Sequence, residues 1–246
     1  MIPRIDVEQT FNAVVKDCGG LVVSEMIAKS PCFENADYLF HGSQVVVELK
    51  CMEEDKTDDP VVKERLGRLW EKWRGEGLVS GAVPPLIRSR TLPTRCQIEM
   101  YRAMGESIRR RIKRANAQIR ATKSALNVTG YRGLLLLGNN GNLILEPAAM
   151  MHMIYLSIKD HFHDIDGVVY FSGNTFSKVA GVWGPARFWL CMHRDNTPTS
   201  VSDLANSLSL EWKKRYDTFV GRPSVAREIG DLAFFNRPMA SGVIHK

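Results

Sequence analysis

The chain has 246 residues, 44% hydrophobic and 24% charged, which is enough for one large α/β domain and its core. No apolar run approaches the ~18 residues of a membrane span. The start MIPRIDVEQT has no signal-peptide core, and five scattered cysteines without a C-x-x-C pair argue against a zinc ribbon or a disulfide scaffold, so a reducing cytoplasm is expected. The net charge of +6 is unevenly distributed: from Arg88 to Arg132 twelve Lys and Arg face only Glu99 and Glu106, while the rest of the chain is mildly acidic. Such a block suits a polyanion and no membrane partner.

Asp6-Val7-Glu8-Gln9 reads as a capping box that opens a helix to about Cys18, ended by Gly19-Gly20. Glu8 shares a face with Phe11, Asn12 and Val15. It either borders the core-facing stripe or is a first-turn acid favoured by the helix dipole. Leu21 to Met26 predicts a strand, with Glu25 as a rival acid to Glu8.

Asp37 to Met52 predicts a β-hairpin. Val45-Val46-Val47 favours a strand, and Gly42-Ser43 suits a type II′ turn. The turn pairs His41 with Gln44, Leu39 with Val46 and Asp37 with Glu48. A four-residue loop of residues 41–44 gives the same register, and a three-residue loop breaks it. Asp37, Glu48 and Lys50 then share one face, while Val45, Val47 and Leu49 point the other way. Two carboxylates that close repel unless a hard divalent cation neutralises them, with the Leu49 carbonyl as a further oxygen ligand. Such an ion activates water and offsets phosphoryl charge, and Lys50 can orient that water or stabilise the transition state.

Asp37 followed by Glu48-Leu49-Lys50 at the end of an apolar strand resembles the PD-(D/E)xK nucleases, the restriction-endonuclease-like fold. Ala36 stands where that motif has Pro. The resemblance implies a nuclease in phage defence, repair or recombination, with Asp37 and Glu48 binding Mg²⁺ (or Mn²⁺) and Lys50 assisting the water. It implies an additional acid from the first helix, where Glu8 fits. Its diagnostic residues span about a dozen positions, and the order of elements extends it to roughly residues 6–171.

Beyond the hairpin, Glu53-Glu54-Asp55 reads as a solvated turn. Asp59-Pro60 opens a helix to about Arg74 with Leu66, Leu69, Trp70 and Trp73 on one stripe, and residues 75–93 read as a loop. Tyr101, Gly105, Ile108, Ile112, Ala115, Ile119, Thr122 and Leu126 form a heptad-like seam, either internal packing or a homodimer interface. Arg102, Arg109, Arg110, Lys113, Arg120 and Lys123 lie off it and are the candidate phosphate-binding residues, DNA being favoured over RNA because no aromatic stacking platform shows clearly. Strands follow at 133–137 and 143–145, a helix at 147–161, strands at 167–171 and 186–192, and a helix around 204–216. His161 and His163 read as a helix terminus, since they do not share a helical face as metal ligands would. The expected fold is α/β, a central mixed β-sheet flanked by helices. Residues 1–175 form the core, with a helical basic insertion at 53–130, and residues 176–246 form a C-terminal strand and helix extension of the same domain. A noncatalytic nucleic-acid-binding or assembly module on this fold is the competing reading.

Overall fold

The computed structural model describes residues 4–27, 33–53, 59–83, 91–140, 147–159, 161–174, 176–179, 182–185 and 188–221. Asp6 caps α1 (Val7–Asp17) by accepting the Gln9 N–H at 3.0 Å. Gly19, at φ +75°, turns the chain out of the helix in a conformation that costs a residue without Cβ little. β1 is only Leu21–Val22, paired with Leu39 and Tyr38, shorter than the expected strand. Val23–Met26 instead form the short helix α2, and the Val23 N–H donates to the Asp37 carbonyl at 2.8 Å.

β2 (Tyr38–Phe40) and β3 (Val45–Met52) form the hairpin. Tyr38 pairs with Val47, Leu39 with Val46 and Phe40 with Val45, which is the predicted register. The turn differs. Residues 41–44 form a four-residue loop closed by Gln44 N–H to the His41 carbonyl at 3.2 Å. Gln44, at φ 55°, takes the left-handed position, and Gly42 does not, so the type II′ expectation is corrected.

The chain continues through α3 (Pro60–Gly75), α4 (Thr94–Met104), α5 (Glu106–Ala125), β4 (Arg132–Asn139), α6 (Pro147–Ile158) and β5 (Gly167–Ser172). A hairpin of β6 (Phe176–Val179) and β7 (Val182–Pro185), not foreseen from sequence, precedes β8 (Trp189–His193) and α7 (Thr199–Val220). The six-stranded sheet has the order β1-β2-β3-β4-β5-β8. β3, β4 and β5 run parallel, and the remaining pairs are antiparallel. The molecule is therefore α/β, with a mixed sheet flanked by helices. The expected strand at 143–145 and the acids Glu54 and Asp55 lie outside the described residues.

Alternation along the strands makes two cores. Tyr38, Val45, Val47, Leu49, Leu134, Leu136, Val169 and Phe171 face α1 and α7, where Phe11 stacks on Trp212 with centroids 4.9 Å apart. Leu39, Val46, Leu135, Leu137, Val168 and Tyr170 face α5 and α6. The heptad seam is internal: Ile108, Ile112, Ala115, Ile119 and Thr122 are buried within the chain. The long helix expected there is broken at Gly105. A Cβ at that position would sit 2.8 Å from the Tyr101 carbonyl oxygen and 3.2 Å from Met153, so α6 crosses closely at this point. The terminus of α6 is served by Arg194 rather than by His161 or His163. The Arg194 guanidinium donates to the carbonyls of Ile158, His161, Phe162 and Ile165. Among the described residues no helix is long and apolar enough to cross a membrane.

Candidate active site

The hairpin brings Asp37, Glu48 and Lys50 together. The observed pairing, continued by one step, sets Asp37 opposite Glu48 at the edge where β2 begins. Asp37 Oδ2 accepts the Leu49 N–H at 2.8 Å, so this carboxylate takes the place that the next β2 residue would have in the ladder. The even-numbered carbonyls of β3 face β4, as Arg132 N–H to the Gln44 oxygen and Asn140 N–H to the Met52 oxygen show. The Leu49 carbonyl therefore lies on the opposite edge, beside Asp37. Next along that edge, Arg111 donates to the Cys51 carbonyl at 3.2 Å.

Glu48 belongs to the row Val46, Glu48, Lys50, Met52, on the face covered by α5 and α6. Its partners across β4 are Leu135 for Glu48 and Leu137 for Lys50. Glu48 is 0% exposed and ion-paired with the Lys50 ammonium, and no other donor among the described residues serves either of its carboxyl oxygens. Burial, then the Asp37 charge, pushes the Glu48 carboxyl up to about 8, against the opposing pull of Lys50. Burial also raises Asp37, partly offset by the Leu49 N–H and Lys50.

Glu8 does not join this pair. It is exposed on the first turn of α1, in a cleft of about 430 Å³ that it lines with Arg4, Asp6, Cys51, Glu53 and Asn174. Asn174 fixes that helix start by accepting the Ile5 N–H and donating to the Ile5 carbonyl, both at 2.8 Å. Cys51 packs against the α1 side of the sheet, opposite the row that carries Glu48 and Lys50. Its thiol is pushed up to about 12 by burial first and then by Glu8, Glu53 and Asp37. Glu25, the rival acid, is spent on Lys16 at 2.8 Å. Among the described residues no three His, Cys, Asp or Glu cluster as a ready metal cage.

The basic residues, Arg102 on α4 and the rest on α5, divide by environment. Arg102, Arg110 and Lys113 are exposed and have no ion pair or hydrogen bond among the described residues. Arg109 stacks over Phe162, 5.8 Å from the ring centroid, and Arg120 lies 3.7 Å from the Asp164 carboxylate. Lys123 is a correction: it is 7% exposed and its ammonium donates to the Asp164 carbonyl at 3.3 Å, so it is not available to phosphate.

Sequence reasoning missed Arg114 and Glu34. Arg114 grips Glu34 with two hydrogen bonds of 2.8 and 2.9 Å. Glu34 feels the Lys50 charge and Arg114 feels that of Glu48, which puts the pair beside the site. The polar residues at positions 114, 118 and 122, four apart on α5, were the available signal.

Comparison with protein-family models, with curated proteins and with solved structures found no match to this chain.

Proposed function

We propose that this protein is a divalent-cation-dependent nuclease of the PD-(D/E)xK type that hydrolyses DNA phosphodiester bonds in the cytoplasm. One observation carries the reading: two carboxyls and an amine converge at a strand end, one carboxyl wholly buried with only the other carboxyl and the Lys50 ammonium as polar neighbours among the described residues. A buried acid set against a second carboxyl costs stability, and such costs gather at functional sites. The order of elements from α1 to β5 is in keeping with a restriction-endonuclease-like fold.

The donor set fits a hard ion such as Mg²⁺ or Mn²⁺. Asp37, Glu48 and the Leu49 carbonyl offer oxygen only, and Mg²⁺ characteristically takes one or two carboxylates and leaves its other positions to water and phosphate. Bound there, the ion would supply an activated water and positive charge against a phosphoryl oxygen. Asp37 is held in place for this by the Leu49 N–H. Lys50 orients the attacking water and stabilises the charge that develops on phosphorus oxygens. Arg102, Arg110 and Lys113 contact the DNA backbone, which positions the duplex without reading its sequence.

The competing noncatalytic module draws support from the Lys50–Glu48 pair, which already neutralises the buried acid without a cation. Cleavage and binding assays separate the two. Wild-type protein should cut DNA in Mg²⁺ or Mn²⁺, and Asp37→Ala should bind but not cut. Wild-type protein that binds yet never cuts in either ion would establish the module. For the interface, salt titration of DNA binding by anisotropy should show Arg110→Ala and Lys113→Ala each lowering the log–log slope by roughly 0.9. An unchanged slope would move the interface off α5.

A further inference from the structure

Three consecutive residues just before Asp37 are tied to one face of α5. Arg114 holds the Glu34 carboxylate at 2.8 and 2.9 Å. Gln118 Nε2 donates to the Asn35 carbonyl at 2.9 Å. The Ala36 N–H donates to Thr122 Oγ1 at 2.7 Å. The three helix positions are four apart, so they form a single row, and each step along the row takes the next residue of the segment. The outer bond is solvated, with Arg114 and Glu34 side chains 63% and 61% exposed. The inner two are not: Gln118 is 8% and Thr122 0% exposed.

These buried polar groups lie beside the apolar row Ile108, Ile112, Ala115 and Ile119. Polar atoms there are a cost unless bonded, and Gln118 Oε1 has no partner among the described residues. An apolar pair would pack α5 on the sheet at least as well. What Gln118 and Thr122 add is a fixed path for residues 35 and 36. The following residue, Asp37, is held by its own carbonyl to Val23 and by its carboxylate to Leu49. Residues 35 and 36 are thus the approach that sets where the Asp37 carboxylate stands relative to Glu48.

Resting on the cation site argued above, we propose that Gln118 and Thr122 are positioning residues for Asp37. They set the affinity of the Asp37–Glu48 pair for its divalent ion without touching it. Groups that orient ligands from behind typically change metal affinity or activity by about 10–100-fold when removed.

The test is Mn²⁺ titration of the full chain, followed by EPR of the free ion, with DNA binding in EDTA measured in parallel. Thr122→Val keeps the shape and removes the acceptor, and should weaken Mn²⁺ binding by about 10-fold. Gln118→Leu should weaken it in the same direction, and Thr122→Ser should restore wild-type affinity. DNA binding in EDTA should hold for all three. Wild-type Mn²⁺ affinity in Thr122→Val and Gln118→Leu, with binding lost in Asp37→Ala, would overturn the positioning role and leave the cation site standing. Equal weakening in Thr122→Val and Thr122→Ser would overturn it as well. Absence of Mn²⁺ binding in the wild type would remove the site and the positioning with it.

Discussion

Lys50→Ala should slow DNA cleavage by about 10²–10³-fold, the cost of removing one group that stabilises transition-state charge, while leaving DNA affinity in EDTA close to wild type. Lys50 is largely withdrawn from solvent, with a side chain 19% exposed. One such ammonium should add little to a DNA affinity that the proposal assigns to exposed cations on α5. Its effect should fall on the chemical step, measured in single turnover with protein in excess. Lys50→Arg should recover only part of the rate, because a planar guanidinium cannot occupy the place of a compact ammonium among Glu48 and Leu137. A second readout follows from charge. Lys50 pulls the Glu48 carboxyl down, so without it Glu48 keeps its proton to higher pH. Any residual activity of Lys50→Ala should therefore rise at higher pH than in the wild type. Unchanged cleavage in Lys50→Ala would exclude this amine from the reaction.

The part of this site that was readable in the sequence is the part set by alternation. Val45-Val46-Val47 fixes a strand, the two-residue period fixes which side chains share a face, and an even-numbered loop fixes Asp37 opposite Glu48. The turn conformation was not readable. Any short connection of the right length preserves the register, and Gln44 rather than a glycine bears the left-handed φ. The helix propensity around Gly105 was legible, but not the close approach of α6, whose Met153 would lie 3.2 Å from a Cβ at that position. The buried Lys123 looked like its exposed neighbours because its partner, the Asp164 carbonyl, is 41 residues away. The row at 114, 118 and 122 reaches a segment 80 to 86 residues earlier in the chain. Glu8 followed from its place on the helix. Where that helix start sits was not legible, because Asn174, which anchors it, is 169 residues away from Ile5.

Glu48→Gln should raise the thermal midpoint of the metal-free protein at pH 8 by several degrees or more, on a scale of about 2–4 °C per kcal/mol for a chain of this size. In the folded protein the Glu48 carboxyl keeps its proton to about pH 8, against an ordinary 4.5. Between those values the native state binds more protons than the unfolded state, so stability falls as pH rises. One pKa unit of that difference is about 1.4 kcal/mol. An amide at position 48 has nothing to ionise and escapes the penalty. The two proteins should thus melt together near pH 5 and part steadily toward pH 8. Divalent ions reverse the order. At the proposed site Mn²⁺ would replace the proton on the carboxylate and find a poorer ligand in the amide, so added Mn²⁺ should stabilise wild type at pH 8 and leave Glu48→Gln nearly unmoved. If Glu48→Gln instead melts lower at pH 8 without metal, the carboxylate is ionised in the resting protein and Lys50 alone balances it. The buried acid would then be a structural ion pair rather than a ligand awaiting its cation.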